Sequence, residues 1–117
     1  MVRNSYLPVQ TEFLTPDSFI QQLGFIVYAS GERIRRHRHM PAERLIKEMS
    51  EVILVRKGRC VAEIFDDDQN SVAEVELDEG DIILLVAGGH GFRLLEDTVL
   101  MEIKQGPYCG RPEKEYF

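Results

Sequence analysis

Glu51-Val-Ile-Leu-Val-Arg-Lys-Gly58-Arg-Cys-Val-Ala-Glu-Ile-Phe65 reads as two apolar, β-branched strands folded about a Lys57-Gly58 turn, with a carboxylate at the head of the first. The same rhythm continues downstream. Asp66-Asp-Asp-Gln-Asn70 is a turn, residues 72–77 a strand, Asp78-Glu-Gly-Asp81 a turn and residues 82–86 a buried strand. Gly88-Gly89 then turns the chain into a strand that begins at His90, and residues 98–104 form the last strand before Gly106-Pro107. Strands recurring every 8–12 residues or so, without a long helical period, predict an all-β sandwich or barrel.

Upstream the signals are shorter. Residues 1–10 show no period and read as an arm. Thr11-Glu-Phe-Leu14 suits an edge strand and Thr15-Pro-Asp-Ser18 a turn, and Thr15 before Pro16 also suits a single helical turn. Residues 22–29 read as a strand, Ser30-Gly31 turns it, and residues 33–39 return. Between 40 and 50, Pro41 and the spacing of Leu45, Ile46 and Met49 fit either a short helix or an extended loop, in both cases a natural lid.

Two of the three histidines lie in Gly31-Glu-Arg-Ile-Arg-Arg-His37-Arg-His39. On a strand, residues two apart share a face, so His37 and His39 can aim both imidazoles at one metal ion, and Arg35 shares that face. A guanidinium there suits a planar anionic substrate. The alternative is a solvated or structurally paired arginine and two unremarked histidines of a polar strand.

The spacing Gly31, five residues, His37-x-His39, then Glu51 with six residues between it and Gly58, resembles the first motif of the cupin superfamily, and Gly80 to His90 resembles the second. The resemblance covers roughly residues 22–105. It implies a double-stranded β-helix, or jelly-roll, barrel forming a single domain over 1–117, with an arm at 1–10 and a tail at 106–117. It also implies a divalent metal, zinc, iron, manganese or nickel, held by His37, His39, Glu51 and His90. Eleven residues separate His39 from Glu51 where the family has three or four, Val86 stands for the usual proline, and no asparagine follows His90. Glu43 and Glu48 therefore compete with Glu51 as the carboxylate ligand. Arg35 and Phe92, on the strand opened by His90, are the substrate-binding candidates. Leu95-Glu-Asp, Glu102-Ile-Lys-Gln-Gly-Pro-Tyr108 and Glu113-Lys-Glu-Tyr-Phe117 are similar to small cupins encoded among polysaccharide and nucleotide-sugar genes.

Composition bounds the remainder. At 117 residues, 44% apolar and 29% charged, the chain suits one globular domain. A net charge of −6 disfavours nucleic acid as the main partner. No apolar run approaches the roughly 20 residues of a membrane span, and residues 1–6 have no apolar signal region, so a cytoplasmic protein without a membrane partner is expected. Cys60, inside a strand, and Cys109 are read as reduced and non-catalytic. The aromatic tail Tyr108, Tyr116 and Phe117 is expected to dock on the barrel or on a second subunit of a homodimer. Three functions stay open: a metal-dependent enzyme acting on a small anionic metabolite, a non-catalytic small-molecule-binding module, and a metal-free sugar isomerase with histidine as base. The last needs a histidine paired with a carboxylate or tyrosine.

Overall fold

The computed structural model describes residues 1–107 and 114–117; Tyr108 and Cys109 lie outside the described residues. Every regular element among them is a β-strand, and all pairing is antiparallel. The chain divides into two compact units. One is Met1–Ser5 with Glu48–Phe117, the other Tyr6–Lys47.

The larger unit contains β3 (Glu51–Lys57), β4 (Cys60–Phe65), β5 (Ser71–Leu77), β6 (Ile82–Leu85), β7 (Gly89–Leu94) and β8 (Val99–Lys104). They form two three-stranded sheets, ordered β6-β3-β8 and β5-β4-β7. Alternation explains why the sheets meet. Ile53 and Val55 of β3, Ile83 and Leu85 of β6, Cys60 and Ala62 of β4 and Leu77 of β5 form one buried cluster, with Ile64, Val75, Phe92 and Leu100 packed on it. Residues of this cluster and those packed on it oppose one another across the ladders: Val55 faces Leu100, Ile53 faces Ile83 and Ala62 faces Phe92. A slip of one residue would turn this whole set outward, which fixes the register. Cys60 is a free, fully buried thiol, and burial pushes its pKa up.

The expected arm is tied down at its start. Val2 bridges Ile82 through two backbone hydrogen bonds, and buried Asp81 receives the amides of Asn4 and Asp78 at 2.8 and 3.0 Å and the Arg3 guanidinium at 2.6 Å. Burial raises the Asp81 carboxyl, but the two amides and Arg3 outweigh it and hold it below the usual carboxylate range.

In the smaller unit, β1 (Glu12–Phe13) pairs with β2 (Gly24–Phe25). This pair is shorter than the strand expected over 22–29, because the Thr11 hydroxyl takes over the Val27 amide, at 2.9 Å, where a ladder would have continued. After Thr15 the chain makes one turn, closed by the Phe19 amide on the Pro16 carbonyl at 3.0 Å, and no helix continues from it. Thr15 Oγ1 receives the Leu23 amide at 3.1 Å and contacts the Gln22 side chain, bracing the β1–β2 connection.

Residues 33–39 are not a strand. Arginines at 33, 35, 36 and 38 place charge on both alternating faces, leaving no apolar face to bury. The helix considered for 40–50 is likewise absent. Leu45 is 77% exposed, so its apolar stripe finds no surface, and a helix of this length is marginal without one.

Because the folded-state pKa of Asp81 is depressed, its contribution to stability is complete above the unfolded-state value, about 3.9, and is lost as pH falls through the lower folded value. Asp81→Asn removes a charged acceptor from two amides and Arg3 and is expected to cost about 2 kcal/mol at pH near 7. Urea unfolding of both proteins checks this. The gap between them should narrow well below pH 4, where the wild-type carboxyl also takes a proton.

Candidate functional site

Toward one end of the two-sheet unit, inward-facing positions change from apolar to ionisable. On β3 the inward series is Val55, Ile53, Glu51; on β8 it is Leu100, Glu102, Lys104; on β7 it is Phe92, His90. Antiparallel register sets Lys104 directly opposite Glu51 and Glu102 opposite Ile53, and it sets His90 opposite Ile64 of β4. The polar groups thus stand on the same two faces that form the core, two or four residues farther along.

Glu51 is 7% exposed and is the centre of the cluster. Its Oε2 lies 3.1 Å from His90 Nε2 and its Oε1 lies 3.8 Å from Lys104 Nζ. Lys104 Nζ also contacts Glu102 Oε1 at 3.1 Å. The Lys104 hydrogen bond is the main reason that the Glu102 carboxyl sits below its ordinary range. Partial burial opposes it, while the charge of Lys104, a hydrogen bond with the Glu51 side chain and the charge of Lys114 reinforce it. The Glu51–His90 contact joins two different sheets. Facing sheets lie roughly 10 Å apart, a gap that a glutamate and a histidine reaching from opposite sides can close.

Backbone devices hold these groups. Beyond the last rung of the β3–β8 ladder, the Ser50 amide donates to Gln105 Oε1 at 3.0 Å and Gln105 Nε2 donates to Ser50 Oγ at 2.9 Å, clamping the strand ends that present Glu51 and Lys104. Before His90, Gly88 adopts φ +74°, and a side chain there would run into the Phe65 carbonyl, so glycine lets the chain turn tightly onto β4.

The cluster lines a cavity of about 650 Å³, within the range of roughly 300–1,000 Å³ usual for small-molecule sites. Its apolar side is formed by Ile53, Leu85, Phe92 and Leu100. Its rim carries Asp66 and Asp67 of the β4–β5 turn and the segment 114–117, where Phe117 meets Phe65 edge-on at 5.2 Å. The expected docking of the tail aromatics therefore holds for Phe117 on its own unit. Asp66 is occupied by its own turn, accepting the amides of Asp68 and Asn70, and these bonds, the Asn70 ones foremost, lower its pKa.

The expected site residues divide between the two units. Glu51, His90 and Phe92 lie together in the larger one. His37, His39 and Arg35 lie in the smaller, all exposed, with the His37 and His39 ring centroids 5.2 Å apart and His37 Nδ1 2.8 Å from the Arg35 carbonyl. Glu43 and Glu48 are exposed, in contrast to Glu51.

Glu102 and Lys104 are site residues that the sequence reading did not assign. Their signal is plain alternation, since both share a face with Leu100. The Glu51–His90 separation suits two cis ligands of one ion as well as it suits a hydrogen bond, but the same carboxylate already faces the Lys104 ammonium. Among the described residues, no group of three or more His, Cys, Asp or Glu side chains is arranged to hold an ion.

Lys104→Met removes the ammonium that favours the charged form of Glu102. In an NMR titration of side-chain carboxyl carbons, Glu102 is expected to titrate at higher pH in the variant than in the wild type. Among the described residues no helix is long and apolar enough to cross a membrane. No family model, no curated protein and no solved structure matches the chain, so the site's chemistry rests on its own residues.

Proposed function

We propose that the two-sheet unit is a cupin-type double-stranded β-helix whose cavity binds a hydroxyl-bearing small molecule, and that it performs metal-free proton transfer of the sugar-isomerase kind. The observation that carries this reading is the His90 Nε2 to Glu51 Oε2 contact of 3.1 Å, made by a nearly buried carboxylate inside a ligand-sized cavity. It is the histidine–carboxylate pairing that acid/base chemistry requires.

The roles follow from the atoms. When Nε2–H donates to Glu51, the neutral imidazole keeps its lone pair on Nδ1, which is the base. Glu51 fixes the ring and stabilises the imidazolium that forms. His90 removes the proton from the hydroxyl-bearing carbon beside an open-chain sugar carbonyl, Lys104 gives a proton to the carbonyl oxygen and takes one from the neighbouring hydroxyl, and the His90 imidazolium, whose proton exchanges with water, protonates the former carbonyl carbon. Bond order shifts within the substrate and no oxidant is consumed. Phe92 and Leu100 supply the apolar face for the sugar's C–H side.

The cavity lining contains five carboxylates, Glu51, Asp66, Asp67, Glu102 and Glu115, against the ammoniums of Lys104 and Lys114. That balance favours an uncharged sugar moiety over a phosphate inside the cavity. Dimerisation belongs to the same reading: β8 is an edge strand whose outward Val99, Met101 and Ile103 are exposed, a face suited to a second copy.

The test is deuterium incorporation from D2O into free sugars, sugar phosphates and nucleotide sugars, followed by NMR. Wild type should exchange the proton beside the carbonyl, His90→Asn should not, and Glu51→Gln should be slower by about 10²–10³-fold. Exchange that is no faster with wild type than with His90→Asn would leave the binding-module reading in its place. A stoichiometric transition metal, lost from His37→Ala/His39→Ala, would restore the metalloenzyme reading.

A further inference from the structure

The smaller unit carries a charge pattern that the cavity does not use. Residues 6–47 contain six basic side chains against four acids, a net +2, whereas the rest of the chain has eight against sixteen, a net −8. Four of the six are Arg33, Arg35, Arg36 and Arg38, packed into six residues and all exposed. Arg3, Arg59 and Arg93 each meet a carboxylate, whereas Arg44 and Arg56 meet none among the described residues. Among the described residues, none of these four guanidiniums has one, although acids outnumber bases in the chain. The nearest acid in sequence, Glu32, is turned the other way, accepting the Ala29 amide at 2.6 Å.

The segment is nonetheless locally ordered. The Glu32 amide closes a turn on the Ala29 carbonyl, His37 Nδ1 contacts the Arg35 carbonyl, and the His39 ring stands edge-on to that of His37. Four like charges so close repel one another, and a multiply charged anion relieves that repulsion while using the paired N–H groups of each guanidinium.

We propose that Arg33, Arg35, Arg36 and Arg38 form a binding site for a compact polyphosphate, such as pyrophosphate or the diphosphate of a nucleotide. A carboxylate engages one guanidinium fork, whereas a diphosphate offers enough oxygens for several. A long polyanion fits less well. Residues 29–47 contain no Phe, Tyr or Trp on which bases stack, and an extended nucleic acid would also meet the −8 carried by the rest of the same chain.

The experiment is calorimetric titration of the whole protein with inorganic pyrophosphate, alongside orthophosphate and a single-stranded oligonucleotide. Saturable pyrophosphate binding is expected, weakened more than about tenfold in Arg35→Ala/Arg36→Ala/Arg38→Ala and unchanged in His90→Asn. The corresponding triple lysine variant, which keeps the charge and loses the fork, should recover only part of the affinity. These positions lie outside every strand, so thermal unfolding of the variants should match wild type. Absence of saturable binding at millimolar pyrophosphate would overturn the proposal, as would alanine variants that bind like wild type or full recovery by lysine. An oligonucleotide that binds more tightly than pyrophosphate would replace the compact ligand with nucleic acid.

Discussion

The candidate site depends on a carboxylate that the fold has taken out of water. Glu51 sits on the face of β3 that also forms the core, and an unpartnered charge in such a place would cost several kcal/mol. It is accommodated because β8 brings Lys104 directly opposite and because β7, in the other sheet, brings His90 within hydrogen-bonding reach. The same contact that relieves desolvation spans the two sheets at their polar end, where apolar packing gives way to the cavity. Stability and chemistry are linked here through one side chain.

Much of the larger unit was legible in the sequence because its strands are bounded by strong turn chemistry. The Lys57-Gly58, Asp66–Asn70, Asp78–Asp81 and Gly88-Gly89 turns lie where their residues predicted, and β3, β4, β5 and β7 begin within one residue of expectation. Glu51 as the head of a rigid strand and His90 as the opening of another were both readable. Lys104 and Glu102 were readable in principle, since alternation from Leu100 turns them inward. Their meeting with Glu51 was not, because it depends on which strands become neighbours.

The smaller unit was harder to read for a physical reason. Residues 22–29 and 33–39 have local β character, but a strand exists only where a partner supplies its ladder. Beyond Gly24–Phe25 the Thr11 side chain ends the pairing, and the arginines of 33–38 leave no face to bury. His-x-His spacing has its meaning only on a strand. Without the ladder, alternation says nothing about where His37 and His39 point, although their rings do lie side by side.

The reciprocal hydrogen bonds between Ser50 and Gln105 join positions 55 residues apart in sequence into one unit. The Gln105 side chain accepts from the Ser50 amide and donates to the Ser50 hydroxyl oxygen, so replacing either residue removes a partner from its mate. In divergent descendants of this chain the two positions should therefore change together, an inheritance pattern in which a distant pair behaves as a single site.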